Sequence, residues 1–230
     1  MTEGSPRYVA IITDGNGRWA RRRGLGVGEG HRAGAETVRA RLRDAVEFGI
    51  RELTIYAFST ENWDRSPAEV KGLMNLMAEY IDNVTPELHA EGVQLRFIGR
   101  RRDPVPGAVI ERMEWAEETT AGNERITFFI PFNYGGRAEI LDAARSFSGG
   151  SEEDFRQHLY APDMHYPELL IRTGGDHRLS NYLLWELAHS ELVFREEMWP
   201  EFSRRSFESA IEEFSRRRKL PGRAGNPSGR

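Results

Sequence analysis

The stretch Tyr8-Val9-Ala10-Ile11-Ile12-Thr13-Asp14-Gly15-Asn16-Gly17-Arg18 decides the fold of this chain. Its first five residues form the short apolar run of a buried strand. The strand delivers a carboxylate, Asp14, at its carboxyl end. Gly15 and Gly17 let backbone N–H groups approach an anion closely, and Arg18 adds a rigid cationic fork. A carboxylate able to hold Mg²⁺ beside a cradle able to hold phosphate points to chemistry on a diphosphate. Taken alone, the stretch also fits a Gly-rich turn with a solvated Asp.

The rest of the chain repeats the pattern. Apolar β-rich runs fall at 52–58, 93–98, 126–132 and 168–171, and helix-period segments lie between them at 31–48, 67–90, 105–121, 136–147 and 180–189. This alternation predicts an α/β fold with a central, mostly parallel sheet flanked by helices. Loops rich in Gly, Arg and carboxylates follow four of the strands, and in open α/β sheets ligands bind beyond the strands' carboxyl ends. Ser66 is placed to cap the 67–90 helix, with Pro67 at its first position. Val70, Leu73, Met74, Met77 and Ile81 give that helix an apolar stripe, and Pro86 is expected to end or kink it. Residues 1–220 are expected to form one domain, and the Gly/Pro/Arg-rich residues 221–230 a disordered tail.

Composition narrows the function. The 230 residues include no cysteine, which excludes disulfides, thiolate metal sites and cysteine nucleophiles and suits a cytoplasmic protein. No signal-peptide core is visible, and no window approaches the ~20 apolar residues of a spanning helix. A net charge of −4 argues against a general nucleic-acid binder. The basic runs Arg100-Arg101-Arg102 and Arg216-Arg217-Arg218-Lys219 read as solvated faces. Arg21-Arg22-Arg23, just past the Gly-rich loop, is the better candidate for anion contact. A haloacid-dehalogenase-like phosphatase needs a second Asp two residues after the first, and Asn16 stands there. A P-loop, a dinucleotide fingerprint after the first strand and the Asp-Asp-x-x-Asp clusters of trans-prenyl synthases are absent.

The surviving motifs together resemble the cis-prenyltransferases, the family of undecaprenyl diphosphate synthases. They are Ala10–Ala20, Gly30-His31-Arg32-Ala33-Gly34, Tyr56–Trp63 with Arg65, Asn133–Arg137, Ile171–Asn181, and Leu183-Leu184-Trp185 leading to Glu191-Leu192. The resemblance implies a Mg²⁺-dependent enzyme that adds isopentenyl diphosphate to an allylic diphosphate, such as farnesyl diphosphate, in cis (Z) geometry. It also implies a homodimer, a hydrophobic tunnel between sheet and helices for the growing chain, and peripheral membrane contact for product release.

Carried over residue by residue, the resemblance gives Asp14 the metal and the departure of the allylic diphosphate. Gly15, Asn16, Gly17 and Arg18 would cradle that diphosphate, with His31 nearby. Arg172, Arg178 and Ser180 would hold isopentenyl diphosphate. Glu191 would complete the metal site, from its own or the neighbouring subunit. Asn62 with Ser59 would assist proton removal, and Glu61, Trp63 and Arg65 would shape a closing loop. Trp19, Thr60 and Leu179 belong to the same implied substrate-binding set, although tryptophans at such positions are more often packing residues.

Three positions depart from the family pattern. Val27 stands where an arginine is usual, Thr13 precedes Asp14 in place of Met, and the C-terminal ending is divergent. Product length stays open, because Ala57 would leave the tunnel open while Phe128, Phe129 and Phe132 would narrow it. A short- or medium-chain Z-prenyl diphosphate synthase and a silent partner subunit of the same fold are the alternatives.

Overall fold

The computed structural model describes residues 4–218. The suggested tail at 221–230 lies outside the described residues. Seven strands form the centre: β1 (Tyr8–Ile12), β2 (Glu52–Ile55), β3 (Phe58–Ser59), β4 (Val93–Ile98), β5 (Ile126–Tyr134), β6 (Leu169–Arg172) and β7 (Glu191–Phe194). All pairings are parallel, in the order β3-β5-β2-β1-β6-β7, and β4 also pairs with β5. The helices are α1 (Asn16–Arg22), α2 (Val27–Glu47), α3 (Pro67–Ala90), α4 (Gly107–Thr120), α5 (Gly136–Ser146), α6 (Glu152–Arg156) and α7 (Arg204–Arg218).

The period-2 alternation of the strands sorts two cores. Ile11, Leu53, Ile55, Leu95, Phe128 and Ile171 face one side, where α2, α3, α4 and α7 contribute Leu42, Ile81, Leu88, Met113 and Phe207. Ala10, Ile12, Phe129 and Leu170 face the other, covered by Met164, Tyr182, Leu183 and Leu187. The second layer is largely turns. The helix expected at 180–189 is not there, because Ser180, Asn181 and Leu183 adopt positive φ, which no helix permits.

Several boundaries move for identifiable reasons. The run 52–58 breaks after Ile55 into β2 and the two-residue β3. The Gly-rich loop is itself helical from Asn16, with Gly15 at φ 112° as its N-cap. Pro86 does not end α3, which continues to Ala90. Strand β7 is only four residues long, and helix α7 lies in a segment whose high charge hides its periodicity. No helix among the described residues is long and apolar enough to cross a membrane.

Strand β1 is the switch point of the sheet. It pairs with β2 on one side and with β6 on the other, and Ile12 sits opposite Arg172. The loops after β1 and β6 therefore leave the same edge side by side, the usual seat of a ligand in such sheets.

Candidate active site

Asp14 is held rigidly at this edge. Its carbonyl accepts hydrogen bonds from Thr173 Oγ1 at 2.8 Å and from the Trp199 backbone N–H at 2.9 Å. Its carboxylate faces two arginines, with Arg18 Nη2 3.2 Å from Oδ1 and Arg172 Nη2 3.0 Å from Oδ2. Gly15 and Gly174 make this approach possible. A side chain on Gly15 would begin 2.8 Å from Met198 Cβ, and one on Gly174 would begin 2.6 Å from Arg18 Nη2. Both glycines have positive φ, so any other residue would be strained as well as crowded.

Arg172 is the hub of the opposite loop. It is only 3% exposed, and it donates to Ser180 Oγ at 2.7 Å and to the Arg178 carbonyl. Asp176 joins it, accepting from Arg178 Nη2 at 2.7 Å and lying 3.4 Å from Arg172 Nη2 and 4.0 Å from Arg18 Nη2. The neighbouring Asp14 side chain, followed by Arg178 and Arg172, holds the Asp176 carboxyl below its ordinary range. Three cations and two carboxylates thus share one edge, an arrangement with spare positive charge for a diphosphate.

The 59–65 segment closes the cleft from the side. Asn62 Oδ1 accepts from the Ser59 backbone N–H at 3.1 Å, so it caps its own turn. Asn181 Nδ2 donates to Glu61 Oε1 at 2.7 Å, and Asn181 Oδ1 accepts from the Arg137 N–H at 2.8 Å. Burial alone would raise the Glu61 carboxyl, but the bonds from Asn181, Thr60 and Ser59 outweigh it and hold it low. Arg65 pairs with Glu69 at 2.8 Å. His31, partly buried beside that pair, has its pKa lowered first by burial and then by Arg65.

These residues bound a cleft with about 1290 Å³ of empty space, part of it open to solvent. Asp14, Asn16, His31, Ser59, Glu61, Asn62, Arg65, Arg172, Arg178 and Ser180 all line it. A second lobe with about 620 Å³ is lined by Gly15, Gly17 and Arg18 as well. Asn16, His31, Tyr56, Ala57, Phe58 and Leu73 also line an apolar cavity of about 870 Å³ beneath it, between the sheet and α2 and α3. Thus the polar cleft and the apolar cavity share a wall. Phe128 and Phe132 line that cavity, whereas Phe129 belongs to the core on the other face of the sheet.

Not every expected residue is brought here. Trp19, Thr60, Trp63 and Leu179 do not line the cleft. Trp63 packs on Phe58 and donates to Asn133 Oδ1 at 2.8 Å, while Leu179 packs on the second core. Glu191 is not brought to Asp14 within this chain. It is the first residue of β7, opposite Leu169 at the amino end of the sheet, and lies 3.3 Å from Arg217. Three residues of strand separate that end from Arg172, about 10 Å, so Glu191 does not meet Asp14 within one chain. The sequence alone suggested no role for Asp176, Asn181 or Trp199. The first two stand inside the 171–181 motif, and Asn is among the non-glycine residues that best tolerate the φ of 60° seen at position 181.

No group of three or more His, Asp or Glu able to hold a metal occurs among the described residues. What the chain offers is Asp14 with Asp176 beside it. That small carboxylate set suits Mg²⁺, which is bound through one or two carboxylates together with substrate phosphates.

Residues 12–222 match the family model described as "Putative undecaprenyl diphosphate synthase". An isoprenyl transferase of Thermotoga maritima is 46% identical over 94% of this chain and 97% of its own length. The trans,polycis-polyprenyl diphosphate synthase ((2Z,6E)-farnesyl diphosphate specific) of Thermobifida fusca is 44% identical over 97% of this chain and 83% of its own. The crystal structure of lavandulyl diphosphate synthase from Lavandula x intermedia, in complex with dimethylallyl diphosphate, superposes with a TM-score of 0.88 at 31% identity, covering 96% of this chain and 98% of that one.

Proposed function

The chain belongs to the undecaprenyl diphosphate synthase family, and on that footing we propose that it condenses isopentenyl diphosphate with an allylic diphosphate in cis (Z) geometry to build a polyprenyl diphosphate. The observation that carries this reading is the shared wall. Asn16, His31, Tyr56, Ala57, Phe58 and Leu73 border both the arginine-lined cleft and the apolar cavity. A molecule with a diphosphate head and a hydrocarbon tail matches that two-part site.

The roles follow from charge and position. The allylic diphosphate lies by Asn16, Gly17 and Arg18, with its tail in the cavity. Isopentenyl diphosphate lies by Arg172, Arg178 and Ser180. Fixing both heads on rigid loops holds the alkene carbon against the allylic carbon and removes the entropy of encounter. As the allylic C–O bond breaks, its electron pair leaves with pyrophosphate. Arg18 and Arg172 are aimed at the developing negative charge, and fixed charges so placed are the main source of rate acceleration in sites of this kind. The new C–C bond forms at the allylic carbon, and a proton is then lost from the isopentenyl unit. Ser59 and Asn62 line the cleft where they would orient that step.

Mg²⁺ is proposed as the cofactor, held by Asp14 with Asp176 beside it; when bound it would neutralise diphosphate charge and stabilise the leaving group. A homodimer, in which Glu191 reaches a neighbouring subunit, and a cytoplasmic location with peripheral membrane contact complete the proposal.

The test is direct. Pure protein is incubated with farnesyl diphosphate, labelled isopentenyl diphosphate and Mg²⁺, and the products are sized and their double-bond geometry determined. Z-configured products longer than the primer are expected. No incorporation, or E geometry, would refute the proposal.

A further inference from the structure

Resting on that reading and deepening it, we infer that Arg21 is a ligand of the allylic diphosphate and reaches the cleft across Gly17. Three guanidinium groups line the lobe that holds Gly17: Arg18, Arg21 and Arg65. Two of them are already offset. Arg18 lies 3.2 Å from Asp14, and Arg65 lies 2.8 Å from Glu69. The Arg21 guanidinium forms no ion pair among the described residues.

Helix geometry explains why it faces the cleft. Arg21 follows Gly17 by one turn of α1 and so shares its face. A side chain on Gly17 would begin 3.5 Å from Arg21 Nη1 and 3.7 Å from Val27 Cγ1. The space left by the glycine is the passage through which Arg21 meets the lobe. The rest of the arginine run points elsewhere. Arg23 pairs with Glu201 at 2.8 Å and covers the Trp19 ring at 4.5 Å, and Arg22 is exposed and lines no part of the cleft.

An arginine without an acidic partner keeps its full charge and all its donors for a ligand, and its planar fork suits phosphate oxygens. The ligand is assigned by place. Arg172 and Arg178 line the larger lobe and not this one. Arg21 therefore serves the head group bound at α1, not the one bound beyond β6. Val27, at the same rim, has no donor to offer, so the charge here comes from Arg21.

Arg21→Gln, Arg22→Gln and the double variant Arg21→Gln/Val27→Arg are compared with the wild type. Steady-state kinetics use farnesyl diphosphate and isopentenyl diphosphate, and calorimetric titration uses inorganic pyrophosphate. Loss of one charge-assisted contact in Arg21→Gln should raise KM for farnesyl diphosphate about tenfold or more. KM for isopentenyl diphosphate should stay unchanged, and pyrophosphate affinity should fall. Arg22→Gln should move neither. Val27→Arg should restore farnesyl diphosphate KM in the double variant, because Val27 borders the same point as Arg21 Nη1. In an active wild type, an unchanged farnesyl diphosphate KM in Arg21→Gln overturns this assignment and leaves the condensation reading standing. An equal rise in both KM values overturns it too, since the residue would then be serving the fold. A wild type that turns over no substrate overturns the condensation reading. The pyrophosphate titration then decides Arg21, and undiminished affinity in Arg21→Gln refutes it.

Discussion

Arg172 and Arg178 are both assigned to isopentenyl diphosphate, yet their surroundings predict different variants. Arg172 is 3% exposed, and its guanidinium bridges Asp14 at 3.0 Å, Ser180 at 2.7 Å and the Arg178 carbonyl. Arg178 has a side chain 63% exposed and, among the described residues, a single carboxylate partner, Asp176. Arg172→Ala removes the contact that ties the 172–180 loop to Asp14 after β1 and two contacts that hold the loop to itself, and it leaves two carboxylates facing each other. A charge-assisted hydrogen bond contributes about 1.5–3 kcal/mol where it is buried. Asp14 and Asp176 retain 29% and 31% side-chain exposure, so water offsets part of each loss. The net loss is about 3 kcal/mol, and at this chain length each kcal/mol moves Tm by ~2–4 °C. Arg172→Ala should therefore lower Tm by roughly 6–12 °C and also raise KM for isopentenyl diphosphate. Arg178→Ala should raise KM with no change in Tm. Scanning calorimetry and steady-state kinetics on the two variants decide the matter. An Arg172→Ala protein that melts with the wild type would show that the loop does not depend on the buried guanidinium.

Asp14→Asn keeps the shape of the side chain and should leave a folded protein with kcat reduced ~10²-fold or more; near-normal kcat would remove Asp14 from the chemistry. Ala57 lines both the cleft and the cavity, so Ala57→Leu should shift products toward shorter chains, and an unaltered distribution from an active variant would place the tail elsewhere. Glu186 is 4% exposed, and burial, then the neighbouring Glu139, pushes its carboxyl up to about 8. Its native pKa lies above the unfolded value near 4.3, so the folded state holds the extra proton and stability declines as pH rises between those values. Glu186→Gln should flatten Tm between about pH 5 and pH 8, and a wild-type Tm that rises over this range would contradict the assignment.

Much of the architecture was legible in the chain itself. Tyr8–Ile12 and Val93–Ile98 coincide with β1 and β4, and Ser66-Pro67 opens α3. Those signals are local: an unbroken apolar run, a capping hydroxyl, a proline that fits only the first turn. The strand-end position of Asp14 and the Gly-Gly turn after β6 were equally visible, because positive φ demands particular residue types. What the sequence could not determine depends on contacts between distant segments. The expected helix at 180–189 gave way to turns because Ser180 serves Arg172 and Asn181 serves Gly136 and Glu61, the last two far away in sequence. Arg21-Arg22-Arg23 reads as one basic run, and only the packing of α1 against α2 sends Arg21 into the cleft and Arg23 toward Glu201. Glu191 sits near the other motifs in sequence order, but the parallel direction of β7 carries it to the opposite end of the sheet from Asp14. Composition and periodicity act residue by residue and set the elements. Which carboxylate meets which arginine is a property of register and strand order, and these exist only once the chain has closed on itself.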